Sequence, residues 1–369
     1  MTSLNKTQSN RPLTEMLRLS TVRETARKVW AQLRPRRDLE QAGERSRTAS
    51  SFWVMVEKEC GDHFRSWRFG ILMAIIVLAC IGSIYAAVTA IRSGDAAAND
   101  TSGSGDTFLF LKMYTLTSSS LAVPSFSTFL SWLGPLIGIT LGFDAVNSER
   151  NKGTLGRLLS QPIYRDDFIK AKFVSALFVI TVVVFSLGFL VMGLGLFTIG
   201  YPPTPEEFLR IIVFLLMAVI YIGFWLNLSI LFSIRFRQAA TSALSSIAIW
   251  LFFTIFYSMI INMIDSATAV AQTAAPETQL NHINFILTLN RISPTELFSE
   301  TLTTMLSPGV RSLGPLTMDQ LVGAIASPLS LGQSLLLIWP QLTGLLAATI
   351  ICFGLSYVLF IRQEVRSRV

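Results

Sequence analysis

Six long apolar runs constrain this chain more than any other feature of its sequence. They are Phe69 to Ile91, Phe126 to Phe143, Phe173 to Ile199, Leu209 to Phe232, Ala239 to Met263 and Ser334 to Ile361. A helix needs about 20 predominantly apolar residues to cross the hydrocarbon layer of a bilayer. The second run is the shortest, and the last is longer than a crossing requires, with Pro340 placed to kink it. Only 14% of residues are charged against 51% hydrophobic, far from the roughly 25% charged of an average soluble domain. The expectation is an all-α integral membrane protein with six transmembrane helices over 69–361.

Orientation follows from the lysines and arginines, which collect in loops on the cytoplasmic side. With both termini in the cytoplasm, fourteen lie in Met1 to Arg68, six between the second and third helices, and five more at Arg235, Arg237, Arg362, Arg366 and Arg368. Only Arg92, Lys112, Arg210, Arg291 and Arg311 then fall outside. The net charge of +7 is therefore a topological signal and not a nucleic-acid footprint. The first apolar run begins at Phe69, and no cleavable signal peptide is visible before it.

The polar parts divide in three. Residues 1–50 form a basic amino-terminal extension in which Val22, Ala26, Val29, Trp30 and Leu33 make a helical stripe. Two readings stand for it: a helix at the anionic lipid surface or against a partner, or a largely mobile tail. Residues 51–68 read as an interfacial amphipathic helix, with Phe52, Val56, Cys60, Phe64 and Trp67 on one face and Glu57, Lys58, Asp62 and Arg65 on the other. The outer loop 264–333 is too long for a simple connection. Capping boxes at Ser293-Pro294-Thr295-Glu296 and Thr317-Met318-Asp319-Gln320 predict two short amphipathic helices there. They could lie at the outer interface, dip into the bilayer or cover the exit of a pathway; the interfacial seat is the favoured expectation. Ser93 to Asp106 has the composition of a flexible linker, and 362–369 is a cytoplasmic tail.

Between the second and third runs lies a charged loop, 144–172. Its Leu155, Leu158 and Leu159 fall on one face of a short helix between the breakers Gly153 and Pro162. Arg150, Lys152, Arg157, Arg165, Lys170 and Lys172 crowd around it, so the segment has the character of a docking element.

Catalytic chemistry is disfavoured. The two histidines, His63 and His282, are assigned to opposite sides of the membrane, and Cys60, Cys80 and Cys352 lack metal-ligand spacing. Gly153-Thr154-Leu155-Gly156 has neither the lysine nor the strand of a phosphate-binding loop. We expect no catalytic residue, metal or bound cofactor. No Asp, Glu, Lys, Arg or His lies near the middle of any run, which disfavours ion-driven transport. Thr181, Ser186, Asn227, Ser229, Thr254 and Tyr257 are candidates for lining a path, although each one alone fits helix packing better. Gly188, Gly193 and Gly195 are read as sites of close helix contact.

Glu149-Arg150-Asn151-Lys152-Gly153-Thr154-Leu155, then Leu158-Leu159-Ser160-Gln161-Pro162, Arg165 and Lys172, resembles the first cytoplasmic loop of ABC-2-type transporter permeases. Lys58-Glu59, Asp62, Arg65-Ser66 and Arg68 look like the family's interfacial helix. Phe360-Ile361-Arg362-Gln363-Glu364 is similar to an ending of its copper-processing and gliding-associated branch. The resemblance spans about Phe52 to Arg366. The basic extension and the length of the outer loop exceed the minimal family pattern.

The resemblance implies a permease subunit in a prokaryotic plasma membrane, an exporter. It would pair with a second copy or a related permease and bind separate ABC ATPase subunits that hold ATP and magnesium. Leu155, Leu158 and Leu159 would then fill a groove on the ATPase, with Glu149, Arg150 and Arg157 around it and Gly153, Thr154 and Pro162 shaping the turn. The other reading of the loop is a helix resting on lipid. Membrane lipids and an outer-side auxiliary protein are further expected partners. The alternative in function is a membrane scaffold or assembly factor that joins cytoplasmic and outer-side partners without moving a substrate.

Overall fold

The computed structural model describes residues 52–93, 108–117, 123–154, 165–270, 275–309 and 329–362. The basic extension, the linker after Ser93, Leu155 to Tyr164, the Thr317 capping box and the residues after Arg362 lie outside these. Every regular element among the described residues is helical. Six helical segments are long and apolar enough to cross a membrane.

Helix α1 occupies 52–64 and turns at Arg65 into α2 (Trp67–Ser93), the first span. A short helix α3 (Leu109–Thr115) precedes α4 (Phe126–Gly142), whose continuation through α5 (Asn147–Asn151) completes the second span. Helices α6 (Arg165–Ile199) and α7 (Pro205–Arg235) are the third and fourth. The fifth is α8 (Ala239–Leu251), a π-helical turn at Phe252–Phe256, and α9 (Tyr257–Thr268). Helices α10 (Pro276–Asn290) and α11 (Pro294–Leu306) intervene before the sixth, α12 (Leu331–Arg362). Each observed span is extended at one or both ends beyond its apolar run. Hydropathy stops at the first charges, whereas backbone hydrogen bonding continues through amphipathic turns such as Arg165 to Lys172.

Helix α7 is the most enclosed span and organises the others, making its largest contact with α4. The reason is legible in Gly134, Gly138 and Gly142, spaced four apart on one face of α4. A β-carbon on Gly138 would meet Ile222 O at 2.7 Å, and one on Gly142 would meet Leu226 O at 2.8 Å. The two backbones touch, a contact that only small residues permit. Ser229 Oγ donates to Ile139 O at 3.1 Å across the same seam. Gly188 and Gly195 likewise face Leu215 and Met113 closely, whereas Gly193 faces nothing within 4 Å among the described residues.

The outer-loop helix at 294–306 is not interfacial. From the end of α9, α10 folds back along it: Thr268 Oγ1 lies 2.9 Å from His282 Nε2, and Tyr257 Oη donates to Leu289 O at 2.6 Å. Eleven residues separate the two anchors on α9, about 16 Å of helix, so α10 and α11 form a hairpin that reaches into the bundle. Phe298 is fully buried and stacks on Tyr221, centroids 4.4 Å apart and planes at 2°. Tyr221 stands midway along α7, and its hydroxyl donates to Ser131 O at 3.1 Å and lies 3.4 Å from Thr295 Oγ1. Pro294 takes the first helical position as expected, yet the Ser293 hydroxyl makes no cap bond and is buried without a partner. A fulfilled capping box occurs instead at Thr204 and Glu207 of α7. At the hairpin's outlet, the buried Arg210 binds Glu206 at 2.9 Å, Ser334 Oγ at 3.1 Å and Leu329 O at 2.5 Å.

Candidate functional site

The end of the bundle that carries α1 and α5 holds a compact set of buried charges. Helix α1 places Val56 and Glu59 one turn apart on its inward face, and both are buried. Phe64 and Trp67, which share the apolar stripe by periodicity, stay exposed. Glu59 meets Lys172 of α6: Nζ to Oε2 is 2.5 Å, with both side chains only 7% exposed. Lys172 Nζ also lies 3.9 Å from Glu149 Oε1 and 5.6 Å from the centre of the Phe168 ring. Lys58 supplies a second cation, 3.5 Å from Glu59 Oε1.

Two carboxylates thus converge on Lys172, one from α1 and one from the loop motif. Glu149 is held by its own segment as well. The Thr154 hydroxyl donates to the Glu149 carboxylate and lies 3.2 Å from its carbonyl oxygen. Gly153, at φ 68°, makes the reversal that brings Thr154 back, a conformation glycine adopts without steric penalty. The order Glu-x-x-x-Gly-Thr is therefore a closed local structure with a carboxylate at its centre.

The same segment is fastened to α7. The backbone N–H groups of Val146 and Asn147 donate to Ser233 Oγ at 3.0 and 3.2 Å. With its amide nitrogen turned towards α7, the fully buried Asn147 donates to Ser233 O at 2.7 Å and Phe236 O at 2.5 Å. These are carbonyls of the helix C-terminus, which have no partner within the helix. Arg68 adds a more exposed tie from α2 to Asp144 at 2.8 Å.

His63 sits against this cluster with Nε2 buried and unpartnered. Burial lowers its pKa, outweighing the opposing pull of Glu59, Asp144 and Asp62, while Lys172 pushes the same way as burial. For Lys58, burial lowers the pKa but the carboxylates of Glu59, Asp62 and Glu149 prevail and raise it. The Cys60 thiol, raised by burial and by Glu59, donates to Ser175 O at 3.6 Å.

Of the predicted docking residues, Glu149, Gly153 and Thr154 are thus placed, and Arg150 lies half-buried in the last turn of α5; Leu155, Arg157, Leu158, Leu159 and Pro162 lie outside the described residues. The six pathway candidates lie on α6, α7 and the fifth span. Thr181 Oγ1 donates to Leu177 O within its own helix, and Ser186 is exposed on α6. Ser229 is tied to Ile139 and Ser246, and Tyr257 to Leu289. Asn227 donates to Thr349 O at 3.5 Å and leaves its oxygen unpartnered, as is the Thr254 hydroxyl. Sequence reasoning named Glu59 only within the run that resembles the interfacial helix, gave it no role, and passed over Asn147. For Glu59 a signal existed, since it follows Val56 by three positions and falls on the apolar face.

A protein-family profile described as ABC-2 family transporter protein matches residues 53–365. The chain belongs to that family. No curated protein matches it. As an ABC-2 permease it is a multi-pass transmembrane subunit of an ABC transporter, and family membership implies association with ABC ATPase subunits. The buried charges join α1, the loop after the second span and the third span of this permease, three of the segments that carry the resemblance.

Proposed function

We propose that this permease is the membrane half of an ATP-driven exporter in a prokaryotic plasma membrane, with both termini in the cytoplasm. It has no ATPase site of its own. Loop 144–172 is the coupling element: Leu155, Leu158 and Leu159 dock on a separate ATPase subunit that binds ATP and magnesium, and a second permease copy or a related chain completes the pathway. What supports the reading is the position of Glu149. It belongs to the loop motif, yet its carboxylate lies 3.9 Å from Lys172 at the root of the third span. Lys172 in turn grips Glu59 of α1, while Asn147 binds the end of α7. A push on this loop would be delivered to three helices at once, because buried ion pairs and backbone contacts do not stretch gradually but hold or break.

The test is reconstitution of the permease with its ATPase subunit in vesicles. Leu158→Asp and Leu159→Asp are expected to abolish copurification with the ATPase while leaving membrane insertion intact. Glu149→Gln is expected to keep copurification and reduce the coupling of ATP hydrolysis to transport. Unchanged association and transport in the leucine variants would remove the docking role. Association without any ATP-dependent movement of a substrate would favour the scaffold.

A further inference from the structure

Helix α3 is seven residues long, Leu109–Thr115, below the length at which a helix holds together by itself. Its order comes from what surrounds it. Phe110, Leu111, Met113 and Tyr114 are all buried, and α2, α4, α6, α7 and α11 pack against them. Met113 Sδ would lie 2.7 Å from a β-carbon on Gly195 of α6, so glycine is what admits the sulfur there. Tyr114 Oη donates to Gly188 O of the same helix at 2.8 Å. Gly188 precedes the last residue of α6, Ile199, by eleven positions, roughly 16 Å of helix. The connection between the first two spans therefore turns back into the bundle, at the end opposite the buried charges of α1 and α5, and fills the space between α4, α6 and α7.

The start of α3 is capped by another helix. Phe108, at its N-cap, makes no side-chain cap bond, and a helix leaves its first N–H groups without partners of its own. Glu207 of α7 answers one of them: Phe110 N–H donates to its Oε1 at 3.1 Å. The same carboxylate closes the capping box of α7, its Oε2 accepting from Thr204 N–H at 2.8 Å and from the Thr204 hydroxyl at 3.0 Å. Glu207 is 1% exposed, and its charge sits at the N-terminal end of α7, where the helix dipole favours an anion. One carboxylate thus caps two helices while belonging to the first turn of one of them. Near the last turn of α7, Ser233 accepts from the backbone of Val146 and Asn147 at the root of the coupling loop. Twenty-six positions separate Glu207 from Ser233, about 39 Å of helix, so α7 joins that loop at one end of the bundle to α3 at the other.

We propose that α3 is the outer gate of the permease and that Glu207 is its latch. A shift of α7 against α6 breaks the bond from Phe110 to Glu207, because the carboxylate moves with its own capping box while Tyr114 stays tied to α6. Helix α3, too short to stand alone, then withdraws and opens this end of the bundle. The gate rests on the transport reading for the event that opens it. The latch is measured on the permease alone, so the two can fail separately.

The experiment is cysteine accessibility in intact cells. In a permease with Cys60, Cys80 and Cys352 changed to alanine, Leu111→Cys reports on α3, and a membrane-impermeant maleimide is added from outside. Ala267→Cys, exposed near the end of α9, reports that this end of the bundle faces the medium. In the permease alone Leu111→Cys is expected to react far more slowly than Ala267→Cys. Adding Glu207→Gln, whose amide offers an acceptor on one side only, should speed the Leu111→Cys reaction about tenfold, the worth of one hydrogen bond to a charged group. Tyr114→Phe should speed it to a smaller extent. Thr204→Ala, which removes a cap hydroxyl of α7 but keeps the bond to Phe110, should leave it unchanged. Coexpression of a hydrolysis-deficient ATPase subunit that stays ATP-bound should speed it with no latch substitution. Circular dichroism and gel filtration of each purified variant control for folding. An unchanged rate in Glu207→Gln, or an equal rise in Thr204→Ala, overturns the latch. An unchanged rate in the ATP-bound complex, with the ATPase copurifying, overturns the gate. Failure of the ATPase to copurify counts against the transport reading and leaves the latch to be decided by the permease alone. Ala267→Cys without labelling refutes the assigned orientation and, with it, the outer position of the gate.

Discussion

Lys172 and Glu59, 113 residues apart in sequence, form an ion pair of 2.5 Å that is almost closed to solvent. A pair so placed is held together as much by the penalty for separating it as by attraction, since either charge left alone keeps its full desolvation cost. Glu149, at 3.9 Å, adds a second carboxylate to the same ammonium. The joint therefore resists loosening from either the α1 side or the loop side.

Lys172→Met alone should destabilise the protein by up to about 3–5 kcal/mol, because Glu59 keeps only the more exposed Lys58, 3.5 Å away, as a cation. The double variant Glu59→Gln, Lys172→Met should recover much of that loss. Thermal unfolding in detergent, followed for both variants, checks the sign and the non-additivity.

Acid should loosen this end of the bundle through His63. Its folded pKa is depressed, chiefly by burial, so the unfolded or detached state takes up the proton first. The stability present above the unfolded value of about 6.5 is lost as pH falls from there towards the lower folded value. The groups facing His63 are Glu59, Asp62, Asp144 and Lys172. Proteolysis between α1 and α2, measured from pH 7.5 down to 5.5, should accelerate in the parent protein. In His63→Gln that acid-dependent increase should be largely absent.

Gly138→Ala should separate α4 from α7, since the added carbon would sit 2.7 Å from Ile222 O, a backbone atom that cannot swing aside. Overpacking of this kind costs roughly 1–3 kcal/mol. Gly193→Ala, with open space before it, should be neutral or slightly stabilising because alanine is the better helix former. The contrast in melting temperature between the two variants is the measurement.

Phe298→Ala should cost about 3–5 kcal/mol, as expected when a fully buried aromatic is removed from a packed core. A helix lying at the membrane surface would lose far less. Unfolding measurements on this variant, with the exposed Phe285 (49%) changed to alanine as a control, distinguish the two seats.

The sequence by itself determined the six spans, their order and the loop motif. Each rests on information local to the chain: length of apolar run, spacing of breakers, and identity of residues such as Gly153 and Thr154. Burial against a neighbour is not local. A short amphipathic helix has the same pattern whether its apolar face meets lipid or Tyr221, so only the tertiary structure decided that α11 lies inside the bundle. The same holds for Glu59. Its charge argues for solvent, and only the arrival of Lys172 from α6 makes the inward position tolerable. Gly134, Gly138 and Gly142 were not singled out in the sequence, and which helix they admit is fixed by the packing of the whole bundle. Glu300 of the α10–α11 hairpin, bound by Gln341 of α12, shows the difference most clearly: a chain without charge near the middle of its spans still places charge among them, because the fold carries a loop back into the membrane domain.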